Sequence, residues 1–197
     1  MVSGLAGHHY LKRGKMNDCK YWYWDNVLTK EFCDQVLKES DFQNSSQGQV
    51  GVQDNKFELS PIRKTSIVWQ PYNSIVGCVI NTFARIANSS SNWNFDIDLS
   101  EAIQIGKYEE GNGHYDWHTD THVFDNGKQR KLSVSVLLND PSEFEGGSFD
   151  FDDGEENLLK SRGSILVFPS FLRHRVTPVT KGVRYSAVSW IAGNLFK

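Results

Sequence analysis

His118 and Asp120 stand two apart in the run Tyr115-Asp116-Trp117-His118-Thr119-Asp120. On a strand, side chains two apart project from one face, so an imidazole and a carboxylate there can converge on one ion. A third ligand must come from another strand, and His174, near the start of a later β-like run, is placed to supply it. Two histidines and one carboxylate on one face of a metal leave three positions open, the arrangement of non-heme Fe(II) sites that use dioxygen. Arg184 follows His174 beyond Pro178 and a turn predicted at Lys181-Gly182. A guanidinium fork can grip a carboxylate in bidentate fashion. Period-two alternation puts Arg184, Ser186, Val188 and Trp190 on one strand face. A cation and an aromatic side chain looking into one pocket suit a small acidic co-substrate.

Other chemistry can be written on the same residues. His-x-Asp alone is a weak signal, and a zinc hydrolase also uses two histidines and an aspartate. His118 and His122 have the i, i+4 spacing of a helical zinc pair, but the segment shows neither a helical pattern nor a catalytic glutamate. A lone arginine more often ends in a surface ion pair. The position of Arg184 after the third ligand favours the dioxygen reading. His114 and His122 read as loop histidines, and His8 and His9 have no spacing that converges with the triad.

These residues need strands to position them. After Asn88, β-like runs follow one another at 102–108, 115–120, 131–139, 148–151, 164–168, 174–176 and 183–191. Turn signals separate them at 109–113, 125–127, 146–147, 152–154 and 181–182. In the third run Leu132, Val134, Val136 and Leu138 alternate with Ser133 and Ser135. Before Asn88, Tyr21–Trp24 and Ser66–Trp69 read as strands. Thr29 is an N-cap for a helix to about Ser40, with Glu31 in its first turn. A second helix is predicted over Tyr72–Ala87 from Val76, Ile80, Phe83 and Ala87, joined by Ile75 and Val79. The expected class is mainly β with N-terminal helices covering one sheet, as a sandwich or barrel. The polar segments 43–60 and 121–130 are lid candidates.

The chain of 197 residues reads as one domain over 16–197, with 1–15 an N-terminal extension or cloning scar and Met16 an internal start. A net charge of -3 weighs against a nucleic-acid partner. Its apolar runs fall short of the roughly 18 residues a membrane span needs. No signal peptide is legible, and Cys19, Cys33 and Cys78 form no Cys-x-x-Cys. Cys33 and Cys78 read as buried free thiols, and a reducing, cytoplasmic setting fits.

The stretch from Tyr108 to Trp190 resembles the prolyl 4-hydroxylase-like branch of the Fe(II)/2-oxoglutarate dioxygenases. The pattern runs Tyr108-Glu109-Glu110-Gly111, Tyr115-x-x-His118-x-Asp120, Arg130-x-x-Ser133, Leu138-Asn139 and Glu145-Gly146-Gly147-x-Phe149. It continues through Arg162 and Gly163, Leu166-x-Phe168 and His174-Arg-Val-x-Pro178 to Gly182-x-Arg184 and Trp190. The order of the elements makes the match specific, while the N-terminal half is similar only in style.

The resemblance implies a double-stranded β-helix, a jelly-roll or cupin-like barrel flanked by helices. It implies iron on His118, Asp120 and His174, with 2-oxoglutarate on Arg184, Tyr108 and Ser133. Tyr115 and Trp190 would line the site and Arg130 would lie near the substrate entrance. The co-substrates would be 2-oxoglutarate and dioxygen, the co-products succinate and CO2, and the reductant ascorbate. The implied reaction is hydroxylation of a C–H bond, first of all in a prolyl residue of a protein or peptide. Free proline or another small amino acid competes, a nucleobase fits the acidic balance less well, and a non-catalytic metal-binding barrel is the reading from another class. Ser133 replaces a usual Thr. Leu137 stands where the family usually has a Tyr that bonds the carboxylate, which leaves that task to Arg184 and Tyr108.

Overall fold

The computed structural model describes residues 8–11, 19–51 and 57–196. Strands β1 (His8–Leu11) and β2 (Cys19–Trp24) precede helix α1 (Lys30–Lys38). Four short strands follow, β3 (Ser46–Gln47), β4 (Val50–Gly51), β5 (Phe57–Glu58) and β6 (Arg63–Lys64). Then come β7 (Ser66–Gln70), helix α2 (Ile75–Ser90) and β8 (Leu99–Ser100). The C-terminal half is β9 (Ile103–Glu109), β10 (Gly113–His118), β11 (Lys128–Leu137), β12 (Phe144–Gly146), β13 (Phe149–Phe151), β14 (Ile165–Pro169) and β15 (His174–Asn194). The architecture is mainly β, and no helix among the described residues is long and apolar enough to cross a membrane.

The long path of hydrogen-bonded strands runs β1-β2-β14-β11-β15-β9-β7-β3. Strand β15 belongs to two sheets. Its first part pairs with β10, β12 and β13, and its second part with β11 and β9. This corrects the turn expected at Lys181-Gly182. The chain continues as strand through Gly182 at φ 71°, because cross-strand partners extend on both sides of it. Residues 8–11 add a strand at the β2 edge. Residues 1–7 and 12–15, like the side chains of His8 and His9, lie outside the described residues. The 43–60 segment supplies β3 on β7 and the small β4–β5 pair.

Local chemistry sets the helix ends. Thr29 Oγ1 accepts the N–H of Phe32 and starts α1 at Lys30. Ser74 Oγ accepts the N–H of Gly77, so α2 begins at Ile75, three residues later than the hydrophobic pattern suggests. Ile75 is exposed there. The buried stripe of α2 is Val76, Ile80, Phe83, Ala84 and Ala87, packed with Cys33 and Val36 of α1 on one sheet face. Burying a Val, Ile or Phe side chain is worth about 1.5–3 kcal/mol, so this stripe decides which way α2 faces. Cys78 lies off the stripe and is exposed, not buried as expected, while Cys33 is buried.

The alternation of β11 separates two cores. Leu132, Val134, Val136 and Leu138 join the helix-side core. Leu137 joins a second cluster with Tyr108, Phe149, Phe151, Phe168 and Val176, and the Phe149 and Phe168 rings of this cluster pack against His174.

Candidate metal centre and cavity

His118 ends β10, and in the antiparallel register its direct partner on β15 is His174. Strand pairing therefore brings two imidazoles together from positions 56 apart in sequence (174 − 118). Each ring has Nδ1 against the carbonyl two residues back, His118 to Asp116 at 2.7 Å and His174 to Leu172 at 2.9 Å. With Nδ1 donating there, Nε2 of each ring is left with its lone pair for a metal, a standard way of fixing the ligating nitrogen. Both Nε2 atoms lie 3.5 Å from Asp120, one at each carboxylate oxygen. The three potential donor atoms lie within 4.8 Å of one another.

Asp120 reaches this place differently from the sequence argument. Strand β10 stops at His118, so period two does not carry the carboxylate. The Asp120 N–H instead donates to the Ser170 carbonyl, and the Ser133 hydroxyl donates to Oδ2 at 2.7 Å. Ser133, expected at 2-oxoglutarate, is bonded to the Asp120 carboxylate. Its position on β11 opposite Trp190 turns its hydroxyl toward Asp120.

Protonation states suit a cation. Burial works to raise the Asp120 pKa, but the His174 and His118 imidazoles outweigh it and hold the carboxyl well below the usual range. Burial pushes His174 down to about 4, leaving it neutral and able to ligate at neutral pH. Two imidazoles and a carboxylate fit Fe(II) or another borderline divalent ion.

Tyr115 stacks on His118, ring centroids 3.4 Å apart and planes at 11°. Burial pushes its phenol up to about 12, so it remains an O–H donor. Tyr115 and Trp190 line both an outer cavity of about 640 Å³ and a narrow inner chamber of about 30 Å³. Tyr108, Phe149, Phe168 and Val188 surround the inner chamber with His174. Arg130 lines the outer cavity, where it donates twice to Glu101 at 2.6 Å and covers the Trp190 ring at 3.9 Å. Trp190 Nε1 is buried without an acceptor among the described residues.

Arg184 is the largest wholly buried side chain, 1% exposed. It is paired across strands with Tyr108, whose ring its guanidinium faces at 5.3 Å. Neither Nη atom has a hydrogen-bond partner among the described residues. Burial lowers its pKa, yet a guanidinium stays charged at any ordinary pH. Gly147, the second glycine of the Gly146-Gly147 pair, makes room for it. A Cβ on Gly147 would meet Arg184 Cδ at 2.8 Å. An unpaired buried cation is costly, and a ligand carboxylate is the group that would relieve it.

The structure therefore gathers His118, Asp120, Tyr115 and Trp190 at both the outer cavity and the inner chamber, with Arg130 at the outer cavity, His174 and Tyr108 at the inner chamber, and Arg184 against Tyr108. His114 is elsewhere, its ring nitrogens against the Asn112 and Pro61 carbonyls. His122 lines the outer cavity outside the triad. Sequence reasoning missed Arg63, Glu101, Gln104 and Trp69, which also line the outer cavity. No motif distinguishes them in the sequence.

Residues 103–192 match the model of the 2OG-Fe(II) oxygenase superfamily. A PKHD-type hydroxylase of Thermosynechococcus vestitus is 40% identical over 94 residues, covering 45% of this chain and 42% of the relative. The chain thus spans less than half of that curated relative. Among solved structures, a viral collagen prolyl hydroxylase of Paramecium Bursaria Chlorella virus-1, in complex with 2OG, has TM-score 0.68 at 21% identity. That likeness covers 91% of this chain and 99% of the viral one. A prolyl-4-hydroxylase of Pseudomonas putida has TM-score 0.65 at 18% identity, covering 89% and 94%. At such identities these two speak for a shared fold. Within the matched segment lie His118, Asp120, His174, Tyr108, Arg130, Ser133, Arg184 and Trp190.

Proposed function

We propose that this chain is an Fe(II)- and 2-oxoglutarate-dependent dioxygenase that hydroxylates a C–H bond, with a prolyl residue of a protein or peptide as substrate. The observation that carries this reading is Arg184, a buried guanidinium with both Nη atoms unpaired, in a chain that also assembles two histidines and an aspartate. A zinc hydrolase or a metal-binding module has no use for that cation. The family match and the names of the relatives support the same class.

His118, Asp120 and His174 would hold iron, and Ser133 keeps the Asp120 carboxylate turned to it. Bound iron, together with 2-oxoglutarate and dioxygen, would supply the oxidation, with succinate and CO2 as co-products and ascorbate as the reductant of the off-cycle metal. Arg184 binds the distal carboxylate of 2-oxoglutarate and Tyr108 donates its hydroxyl to the same group. The aromatic walls of the inner chamber exclude water and strengthen that ion pair. Arg130, fixed by Glu101, and Trp190 present the substrate wall of the outer cavity. We assign the two-sheet arrangement sharing β15 to a double-stranded β-helix, with α1 and α2 packed on one sheet, and residues 16–197 to one domain after an N-terminal extension. Three free cysteines support a reducing, cytoplasmic setting.

The test is a mass-spectrometric screen of proline-containing peptides and free amino acids for a gain of one oxygen. A gain on peptides that requires both Fe(II) and 2-oxoglutarate is expected. A gain on free proline alone replaces the peptide substrate. Metal binding with neither product nor succinate returns the site to the binding-module reading.

A further inference from the structure

We propose that Arg63 is a positioning residue for the metal centre, tying the Tyr115–His118 stack to the wall of the cavity formed by residues 46–51. Arg63 lies outside the family-matched segment, on β6, directly opposite Tyr115 of β10. Its guanidinium covers the Tyr115 ring at 4.5 Å, and that ring lies on the His118 imidazole at 3.4 Å. One side chain therefore touches the residue that fixes the face of a metal ligand. On its other sides His118 is held by its Nδ1 bond to the Asp116 carbonyl and by the His174 ring at 4.2 Å.

The same guanidinium holds the cavity wall. Nη1 donates to the Gln49 carbonyl at 2.9 Å, and Nη2 to Gln104 Oε1. Gly48 packs so closely that a Cβ there would stand 2.5 Å from Nε and 2.8 Å from Cζ. The Gly48 N–H is in turn anchored on the Thr65 carbonyl at 2.7 Å, beside Arg63 in the chain. Ser46, Gln47, Gln49 and Val50 of this segment all line the outer cavity.

An arginine is an expensive choice for mere filling. Arg63 is 6% exposed, and no carboxylate lies within ion-pair distance of it among the described residues. A buried charge without a counter-ion costs several kcal/mol relative to an apolar side chain of similar volume. What the guanidinium offers in return is a flat fork that can bond two elements while lying on an aromatic ring. Those are the three contacts it makes here. Removing it frees the wall and the phenol together, and His118 loses the support on its ring face.

This inference rests on the metal reading of the triad, so its test uses Co(II) alone as the probe. Co(II) affinity and visible absorption are compared for the wild type, Arg63→Met, Arg63→Lys and Gly48→Ala, with thermal unfolding of each metal-free protein alongside. Partners that orient a ligand change metal affinity on the order of 10- to 100-fold. Arg63→Met and Gly48→Ala are expected near the lower figure, with shifted absorption bands, and Arg63→Lys is expected to recover part of both. Should Arg63→Met fail to fold, Gly48→Ala carries the same comparison, because its methyl group must displace the guanidinium. Wild-type affinity and bands in every folded variant, with only the melting temperature lowered, would reduce Arg63 to a structural residue and overturn the inference. A wild type whose Co(II) binding is unaffected by His174→Ala would overturn the metal reading, and this inference with it.

Discussion

At the mouth of the cavity Arg130 meets Glu101 through two bonds of 2.6 Å and rests on Trp190, while behind the inner chamber Arg184 has no acceptor for either Nη atom. Both cations sit on neighbouring strands of one sheet, β11 and β15. Their electrostatic conditions are opposite. The fold neutralises Arg130 itself, so that side chain is held in one place whether or not a ligand is present. It leaves Arg184 desolvated and unmatched, which costs stability in the free protein and is recovered only when an anion arrives. The difference separates a cation that shapes a wall from one we propose is reserved for a ligand.

The strongest way to break this comparison removes the reason for either cation. His174→Ala deletes a buried proposed ligand that pairs across strands with His118. Turnover should vanish and metal binding should fall sharply, read by metal content after dialysis. Retained stoichiometry and activity would remove the triad from consideration.

Arg184 gives the next largest effect. Deleting one partner of a buried charged pair costs roughly 3–5 kcal/mol, a hundredfold or more in affinity. Arg184→Ala should raise the apparent 2-oxoglutarate requirement by that order while iron binding stays near wild type. Arg184→Lys should recover only part, since an ammonium keeps the charge and loses the fork. Arg184→Met sharpens the contrast with Arg130. Without 2-oxoglutarate it should melt no lower than wild type, because an apolar side chain replaces an unpaired ion. With 2-oxoglutarate it should lose the stabilisation that ligand binding confers. A Met variant that still gains stability from 2-oxoglutarate would sink the assignment.

Glu101→Gln probes the other arginine. It removes the counter-charge from a pair whose side chains are 13% and 17% exposed, and should loosen Arg130 over Trp190. A substrate KM raised on the order of tenfold, about 1.4 kcal/mol, is expected with 2-oxoglutarate dependence unchanged. A change confined to 2-oxoglutarate would place Arg130 at the wrong end of the site.

The smallest effect is an acid one. His174 stays neutral in the metal-free fold down to about pH 4, whereas in the unfolded chain it takes up a proton near its ordinary value of 6.5. Between those limits the unfolded state binds more protons, so stability falls as pH falls. The melting temperature of metal-free protein should decline across that window, and His174→Gln should flatten the decline. An equal slope in both proteins would assign it to other groups.

Much of this site is legible in the chain itself. The ligand residues, the interval to Arg184, the alternation of β11 and the N-cap at Thr29 are local patterns, set by the pitch of strands and helices and by side chains that bond their own backbone. The face shared by Arg184, Ser186, Val188 and Trp190 follows from period two alone. Other features required the tertiary structure. Asp120 arrives off the strand, steered by Ser133 and the Ser170 carbonyl, and β15 runs on where a turn seemed due because partners on two sheets continue it. Cys78 is exposed because only packing decides which side of an apolar helix faces the sheet. Arg63 reads as an ordinary basic residue until β6 pairs with β10 and sets it on Tyr115. Whether an arginine is matched, as Arg130 is, or left without an acceptor, as Arg184 is among the described residues, depends on groups distant in sequence that meet only through strand register. Spacing along a chain carries no record of such meetings.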